Sequence, residues 1–242
     1  MSEKKIALVT GGTSGIGRAT VLELASRGFR VAFTYRNAPR AEEVCRELEE
    51  RGLEGMSIEC DIIDTDQCRA AVRRTEEKWG RIDVLVNCAG ISNVKTVEEI
   101  DEVEWDTMLD TNLRGTFFLT KAVYAGMKER RSGTIISVTS IAGQRGGRFS
   151  GVHYCASKGG MEAMVKCFAR IGAEYGITSN GVSPGVVDTP MTREEGVVAD
   201  DVPLGRAAVP EEVARVIAFL ASKDAGYITG MTIDVNGGQM MR

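Results

Sequence analysis

The segment Lys5-Ile6-Ala7-Leu8-Val9-Thr10 reads as a buried strand, and it runs directly into Gly11-Gly12-Thr13-Ser14-Gly15-Ile16-Gly17 and then into an amphipathic stretch from Arg18 to Gly28. Strand, glycine turn and helix in that order constrain the fold more than anything else in the chain. Glycines let the backbone turn sharply and approach a pyrophosphate, whose charge is favoured by the free amides and positive dipole of a helix start. The common G-x-G-x-x-G string is absent: Gly11 is followed after three residues by Gly15 and after one more by Gly17, and Thr20 stands where the next glycine would fall. At the first strand-to-helix turn of an alternating chain, this spacing points to a nucleotide; elsewhere it would be an ordinary glycine-rich connection.

The alternation continues along the chain. Apolar runs predict strands near 5–9, 30–35, 55–60, 82–86, 133–138, 178–182 and 231–235, with helices near 16–28, 40–51, 65–79, 102–130, 153–175 and 210–221. Seven strands with helices between them imply an α/β fold, a single doubly wound parallel sheet covered on both faces, over residues 1–242. Ligands of such sheets sit beyond the carboxyl ends of the strands, and the polar motifs fall mostly at those ends. No linker, charge block or solenoid repeat divides the 242 residues, and no apolar run is long enough to span a bilayer. The start, Met1 to Lys5, lacks the apolar region of a signal peptide, so a cytoplasmic protein is expected. Six cysteines lie scattered without metal-ligand spacing, which predicts reduced thiols; Cys88 and Cys155 read as small fillers. A net charge of −4 argues against a nucleic-acid surface.

Tyr154 and Lys158 stand four apart in a helical stretch, and so share one face, with Ser140 fourteen positions upstream of Tyr154 at the end of a strand. A free phenol, with a pKa of about 10, is too weak a base at neutral pH, but a nearby ammonium favours the phenolate. Tyr154 is therefore a candidate general acid/base, with its pKa expected to be lowered by Lys158. Ser140 is a candidate to hydrogen-bond a carbonyl oxygen, in competition with Ser137 and Thr139. His153, the one histidine, has no obvious Asp or Ser partner and reads as a packing or rim residue.

These residues resemble the short-chain dehydrogenase/reductase family over essentially the whole chain. The Thr10-Gly11-x-x-x-Gly15-x-Gly17 turn, Asp61, Asn87-Cys88-Ala89-Gly90, Asn112, Ser140, Tyr154 with Lys158, and Pro184-Gly185 occur in the family's order. The resemblance implies a Rossmann-type domain, a nicotinamide cofactor, and hydride transfer between alcohol and carbonyl. It also implies a catalytic tetrad of Asn112, Ser140, Tyr154 and Lys158, with Asn112 holding a relay water. Cofactor contacts are expected from Gly11, Thr13, Ser14, Gly15, Ile16, Gly17, Arg36, Asp61, Ile62, Asn87, Ala89, Gly90, Tyr154, Lys158, Pro184, Gly185, Val187 and Thr189. The second strand ends Thr34-Tyr35-Arg36-Asn37 with no carboxylate, which favours NADPH over NADH, with Arg36 on the 2′-phosphate and Thr34 or Ser14 as helpers. Asp61 competes with a reading as a cap before Asp64-Thr65.

The polar stretch from Pro190 to Asp201 reads as a short lid. The tail, from Pro203-Leu204-Gly205-Arg206 to Val235-Asn236-Gly237-Gly238, most resembles the 3-oxoacyl-acyl-carrier-protein reductases. The expected substrate is accordingly a small carbonyl compound, a 3-oxoacyl thioester carried on acyl carrier protein, with Arg130-Arg131 as part of a docking patch near the site mouth. Tyr175, where a second basic residue is expected, departs from that pattern. Sugar, polyol or other small secondary-alcohol dehydrogenases are the alternative, and a non-catalytic sensor of the cofactor is the alternative of another class. The resemblance further implies a homotetramer built through the two long helices, with Met240-Met241 as a subunit contact.

Overall fold

A computed structural model describes residues 4–147 and 150–241. The first apolar run forms β1 (Ile6–Val9), and the glycine turn opens α1 (Gly15–Ser26). The β-branched and aromatic run Arg30–Tyr35 is β2. In α2 (Ala38–Glu50), Asn37 caps the start by accepting from the Arg40 amide, and Pro39 sits in the first turn, where its missing N–H costs nothing. β3 (Gly55–Glu59) leads to α3 (Thr65–Trp79), where Asp64 accepts from the amides of Asp66 and Gln67, so the capping role falls to Asp64. β4 (Val84–Asn87) follows.

The helical stretch expected over 102–130 is not uniform. It comprises α4 (Glu102–Leu109), a π-helical turn (Asp110–Gly115) and α5 (Thr116–Arg130). Widened turns of this kind concentrate at functional positions, and this one carries Asn112. β5 (Gly133–Val138) leads into the short α6 (Ala142–Arg145), and the long α7 (Val152–Gly172) precedes β6 (Ile177–Pro184). β6 is longer than expected because it pairs with strands on both sides. The stretch read as a lid contains α8 (Pro190–Glu194), and α9 (Pro210–Leu220) and β7 (Thr232–Val235) follow.

All seven strands run parallel in the order β3-β2-β1-β4-β5-β6-β7. The order reverses between β1 and β4, the switch point where an open α/β sheet leaves a crevice. Registers align the strand ends across it: Val9 opposes Val86, Val86 opposes Ile136, and Val138 opposes Val182. Residues that follow those ends, Thr10-Gly11, Cys88–Gly90, Thr139-Ser140 and Gly185, therefore form a row along one edge of the sheet.

Alternate strand residues face opposite sides and feed two buried clusters. Val9, Phe33, Val86 and Ile136 pack with Leu24 of α1 and Ile217 of α9, whereas Leu8, Ile58, Leu85 and Ile135 pack with Val72, Leu119 and Phe168 on the other face. Each of the largest such side chains contributes roughly 1.5–3 kcal/mol on burial, so the row of loops stands on a rigid base. No helix among the described residues is long and apolar enough to cross a membrane.

Candidate active site

The row of strand ends borders a cleft of about 360 Å³ that runs from the glycine turn to Tyr154 and Lys158. At its nucleotide end the wall is backbone. Gly11 takes a φ of 66°, and a Cβ there would stand 2.9 Å from the Ala89 Cα; a Cβ on Gly17 would stand 2.1 Å from the Gly11 carbonyl oxygen. The Thr10 hydroxyl accepts from the amides of Cys88 and Ala89, both at 2.9 Å, and so ties the first turn to the end of β4. Ser14 is the N-cap of α1 yet its side chain makes no capping bond, and the first turn of α1 holds no acidic residue. Close-packed glycines, a helix start with open amides and a free hydroxyl fit a dinucleotide pyrophosphate.

Arg36 lines the cleft at the end of β2, and Arg40 from the first turn of α2 lines it too. Arg36 lies 4.0 Å from the Asp61 carboxylate, with both side chains substantially exposed, which is a weak pairing that leaves the guanidinium available. Asp61 itself does not line the cleft; its carboxylate accepts from the Ile63 amide. Thr34 lines the cleft as well, and its hydroxyl accepts from the Gly11 amide at 3.2 Å. Thr13, Gly15, Ile16, Ile62, Ala89, Gly90, Pro184, Gly185, Val187 and Thr189 all line the cleft. Asn87 does not: its side chain is buried and donates to the hydroxyls of Thr120 at 2.9 Å and Ser137 at 3.3 Å, holding α5 and β5 together.

At the other end the wall is side chains. Gly143 permits that assembly, because a Cβ there would lie 2.6 Å from the Lys158 carbonyl carbon, and its carbonyl oxygen lies 3.2 Å from where a Cβ on Gly159 would be. α6 therefore presses against α7, and Ser140, just before α6, reaches Tyr154 of α7, whose hydroxyl it hydrogen-bonds. Ser137 and Thr139 point elsewhere: Ser137 faces Asn87, and the Thr139 hydroxyl donates to the Val182 carbonyl.

The structure corrects one expectation about this pair. The Lys158 ammonium donates to the Val138 carbonyl at 2.9 Å and lies 5.7 Å from the Tyr154 ring centroid, not against the phenol oxygen. Burial therefore dominates both groups. It pushes Tyr154 up to about 12, against the opposing effect of the Ser140 hydrogen bond, and pulls Lys158 down to about 8. Tyr154 stands as a neutral phenol, a form suited to giving a proton.

Asn112 is fully buried in the π-helical turn. Its side-chain oxygen accepts from the Ile91 amide at 2.8 Å, and its nitrogen donates to the Ile91 carbonyl at 2.9 Å and the Ser157 hydroxyl at 3.1 Å. The side chain thus joins the loop after β4 to α7. His153 is fully buried with neither ring nitrogen hydrogen-bonded, and burial lowers its pKa; it is a packing residue, not a rim residue. The Cys88 thiol borders the cleft but burial pushes it up to about 12, and burial raises Cys155 as well, so both are neutral fillers.

Two further residues escaped the reading of the sequence. The Gln239 side-chain oxygen accepts from the Val186 amide at 3.0 Å, and its nitrogen donates to Asp201 at 2.7 Å, tying the C-terminal segment to the cofactor loop and the base of the lid. Glu195, just beyond α8, has one carboxylate oxygen buried without a hydrogen-bond partner, and burial pushes its pKa up. Neither sits in a spacing that sequence reading can recognise; Arg40, one turn beyond Arg36 on a helix start, could have been found.

Arg130 and Arg131 precede β5 and so lie at the opposite end of the strand from Ser140. Arg130 donates to the Ile82 carbonyl at 2.7 Å, and Arg131 and Lys128 lie over the Tyr175 ring at 5.6 and 4.6 Å. They do not border this chain's own cleft.

The family profile described as enoyl-(acyl carrier protein) reductase matches residues 11–240. The chain belongs to the short-chain dehydrogenase/reductase family. It is 39% identical over 243 residues to the 3-oxoacyl-(acyl-carrier-protein) reductase FabG of Staphylococcus epidermidis, covering 98% of this chain and 99% of that protein. It is 38% identical over 244 residues to the acetoacetyl-CoA reductase of Allochromatium vinosum, with coverage of 98% and 99%. Among solved structures, that of gox2181 superposes with a TM-score of 0.93 at 34% identity, covering 98% of this chain and 96% of that one. The chain is an oxidoreductase of this family, with the Rossmann-type sheet expected from its glycine turn.

Proposed function

We propose that the chain is an NADPH-dependent ketoreductase that converts a 3-oxoacyl thioester to the 3-hydroxyacyl thioester. The observation that carries this is the neutral Tyr154 phenol, hydrogen-bonded to Ser140 at the end of a cleft whose far end is a glycine turn flanked by Arg36 and Arg40. The bound nicotinamide would supply the hydride. Ser140 would hold the substrate carbonyl oxygen and Tyr154 would donate the proton to it as the alcohol forms, while Lys158 carries the compensating positive charge beside them. Arg36 and Arg40, with no carboxylate at the end of β2, favour the 2′-phosphate of NADPH. Asn112 would keep the loop after β4 in register with α7.

The substrate class rests on relatives named for 3-oxoacyl and acetoacetyl thioesters. A carrier protein that used Arg130 and Arg131 would meet them at a face away from this chain's own cleft, so docking there calls for a neighbouring subunit. Exposed Trp105, Phe117 and Ile171 on α4, α5 and α7 suit the subunit contacts of a homotetramer.

The test is oxidation of NADPH by wild type and Tyr154→Phe with an acetoacetyl thioester, alongside small ketones, hydroxyketones and NADH. Thioester turnover that vanishes in the variant is expected. Turnover confined to hydroxyketones would move the assignment to polyol chemistry, and cofactor binding without turnover on any carbonyl would overturn catalysis in favour of a cofactor sensor.

A further inference from the structure

One glutamine near the C-terminal end joins segments that border the cleft. Gln239 stands in a turn that Asn236 clips: the Asn236 side-chain oxygen accepts from the Gly238 amide at 2.9 Å, its nitrogen donates to the Met240 carbonyl at 3.0 Å, and its carbonyl accepts from the Gln239 amide at 3.1 Å. So held, the Gln239 side chain lies on the backbone of the loop after β6. A Cβ on Gly185, which lines the cleft, would stand 2.2 Å from the Gln239 Oε1. That oxygen accepts from the Val186 amide at 3.0 Å, and Nε2 donates to the Asp201 carboxylate at 2.7 Å. A primary amide meets both demands, whereas a carboxylate would repel Asp201 and an apolar chain would satisfy neither neighbour.

Arg145 closes the ring. From the end of α6 it donates through Nη1 to the Gln239 carbonyl at 2.9 Å and through Nη2 to the other oxygen of Asp201 at 3.3 Å. α6 is fixed in turn to the reactive end of the cleft: the Ser140 hydroxyl accepts from the Ala142 amide at 3.1 Å, and the Ile141 amide donates to the Pro184 carbonyl at 3.2 Å. The stretch from Pro190 to Asp201 supplies Pro190, Met191 and Thr192 to the cleft wall. Its near end continues from the loop after β6, and Asp201 pins its far end to the frame that carries Ser140 and Gly185. Gln239, Asp201 and Arg145 do not themselves line the cleft. A segment pinned at both ends has less freedom to lose when a ligand orders it, so such a ring strengthens binding without touching the ligand.

We propose that Gln239 is a positioning residue for the cofactor: with Asp201 and Arg145 it latches the 190–201 stretch and the Gly185–Val187 loop in the arrangement that receives the nicotinamide cofactor. This rests on the nicotinamide-dependent reading above and adds to it where cofactor affinity is set. The ring joins cofactor-side backbone and not the proton donor, so its loss acts on binding of NADPH and leaves the chemical step in place.

The experiment measures NADPH affinity by fluorescence titration without substrate, together with steady-state kinetics, for wild type, Gln239→Leu, Asp201→Ala, Asp201→Asn and the double variant Gln239→Leu/Asp201→Ala. Gln239→Leu is expected to weaken NADPH roughly 10-fold and to raise its KM in step, with kcat held within about 3-fold. The double variant should bind NADPH little worse than the weaker single variant, because both changes remove the same bond. Asp201→Asn, which keeps an oxygen for the Gln239 amide, should lose less affinity than Asp201→Ala. A residue that only supported the fold would lower the active fraction, and so kcat, while the affinity and KM of the remaining molecules stayed at the wild-type values; that result overturns the assignment, as do fully additive losses in the double variant. Should Gln239→Leu not fold, the Asp201 pair decides, and equal affinities for Asp201→Ala and Asp201→Asn overturn the latch. If wild type binds NADPH and reduces no carbonyl, the ketoreductase reading falls and the titrations still judge the latch; if wild type binds neither NADPH nor NADH, both fall.

Discussion

The two ends of the cleft are made of different material. The nucleotide end is backbone: Gly11 and Gly17 pack so tightly that neither could carry a Cβ, and the Thr10 hydroxyl locks the turn to β4. The reactive end is side chains, and it is energetically costly, with a phenol and an ammonium both moved from their usual pKa by burial. The lesson is that the first end is specified by what is missing from the chain, while the second is specified by how deeply ordinary groups are buried. Damage at the two ends should therefore look different.

The largest effect is expected at the reactive end. Tyr154→Phe should lower kcat for ketone reduction by roughly 10²–10⁴-fold, the usual contribution of a general acid, while NADPH affinity by fluorescence titration stays close to wild type. A loss of affinity equal to the loss of rate would show that the two ends are not separable. Next is the backbone end. Gly17→Ala must move the Gly11 carbonyl, since its Cβ would come within 2.1 Å of that oxygen. Overpacking of this kind costs about 1–3 kcal/mol, and the altered turn should weaken NADPH by up to ~100-fold without changing the pH profile of whatever turnover remains.

Lys158→Met should separate activity from stability. The folded-state pKa of Lys158, near 8, lies below its ordinary 10.5, so the unfolded chain binds the extra proton between those values and stability rises with pH across that window. Removing the charge should accordingly stabilise the fold by about 2 kcal/mol below pH 8, with the gain shrinking as pH climbs toward 10.5, and should abolish most turnover. Thermal unfolding at several pH values checks this; a variant less stable than wild type at pH 7 would contradict it. The smallest effect is expected from Arg36→Ala, which should weaken NADPH about 10-fold and leave NADH unchanged, with Arg40 retaining part of the phosphate contact. Equal losses for both cofactors would place Arg36 outside 2′-phosphate recognition.

Much of this arrangement was legible beforehand for a physical reason. Strand-length apolar runs alternating with helical periodicity leave few ways to bury both faces of a sheet, and the glycine spacing after β1 announces a backbone that must come close to a ligand. Helical periodicity put Tyr154 and Lys158 on one face, but it was the resemblance to the family that singled them out and chose Ser140 over Ser137 and Thr139. The interruption of the long helix by Asp110–Gly115 was not readable, since a π turn depends on what the widened backbone packs against, here the Ile62 carbonyl, 2.4 Å from where a Cβ on Gly115 would stand. Arg130 and Arg131 illustrate a second limit: their spacing suggests a docking patch, but strand direction carries them to the far end of β5.

The sequence by itself determined the layered sheet and the glycine turn, because those follow from local periodicity and from where glycine is required, while the proposed trio of Ser140, Tyr154 and Lys158 came from the family resemblance. Only the tertiary structure decided the state of the groups it assembled. The Tyr154 phenol is neutral because burial outweighs a lysine whose ammonium is held by the Val138 carbonyl. Desolvation and mutual position are properties of the folded volume, and no spacing along the chain encodes them.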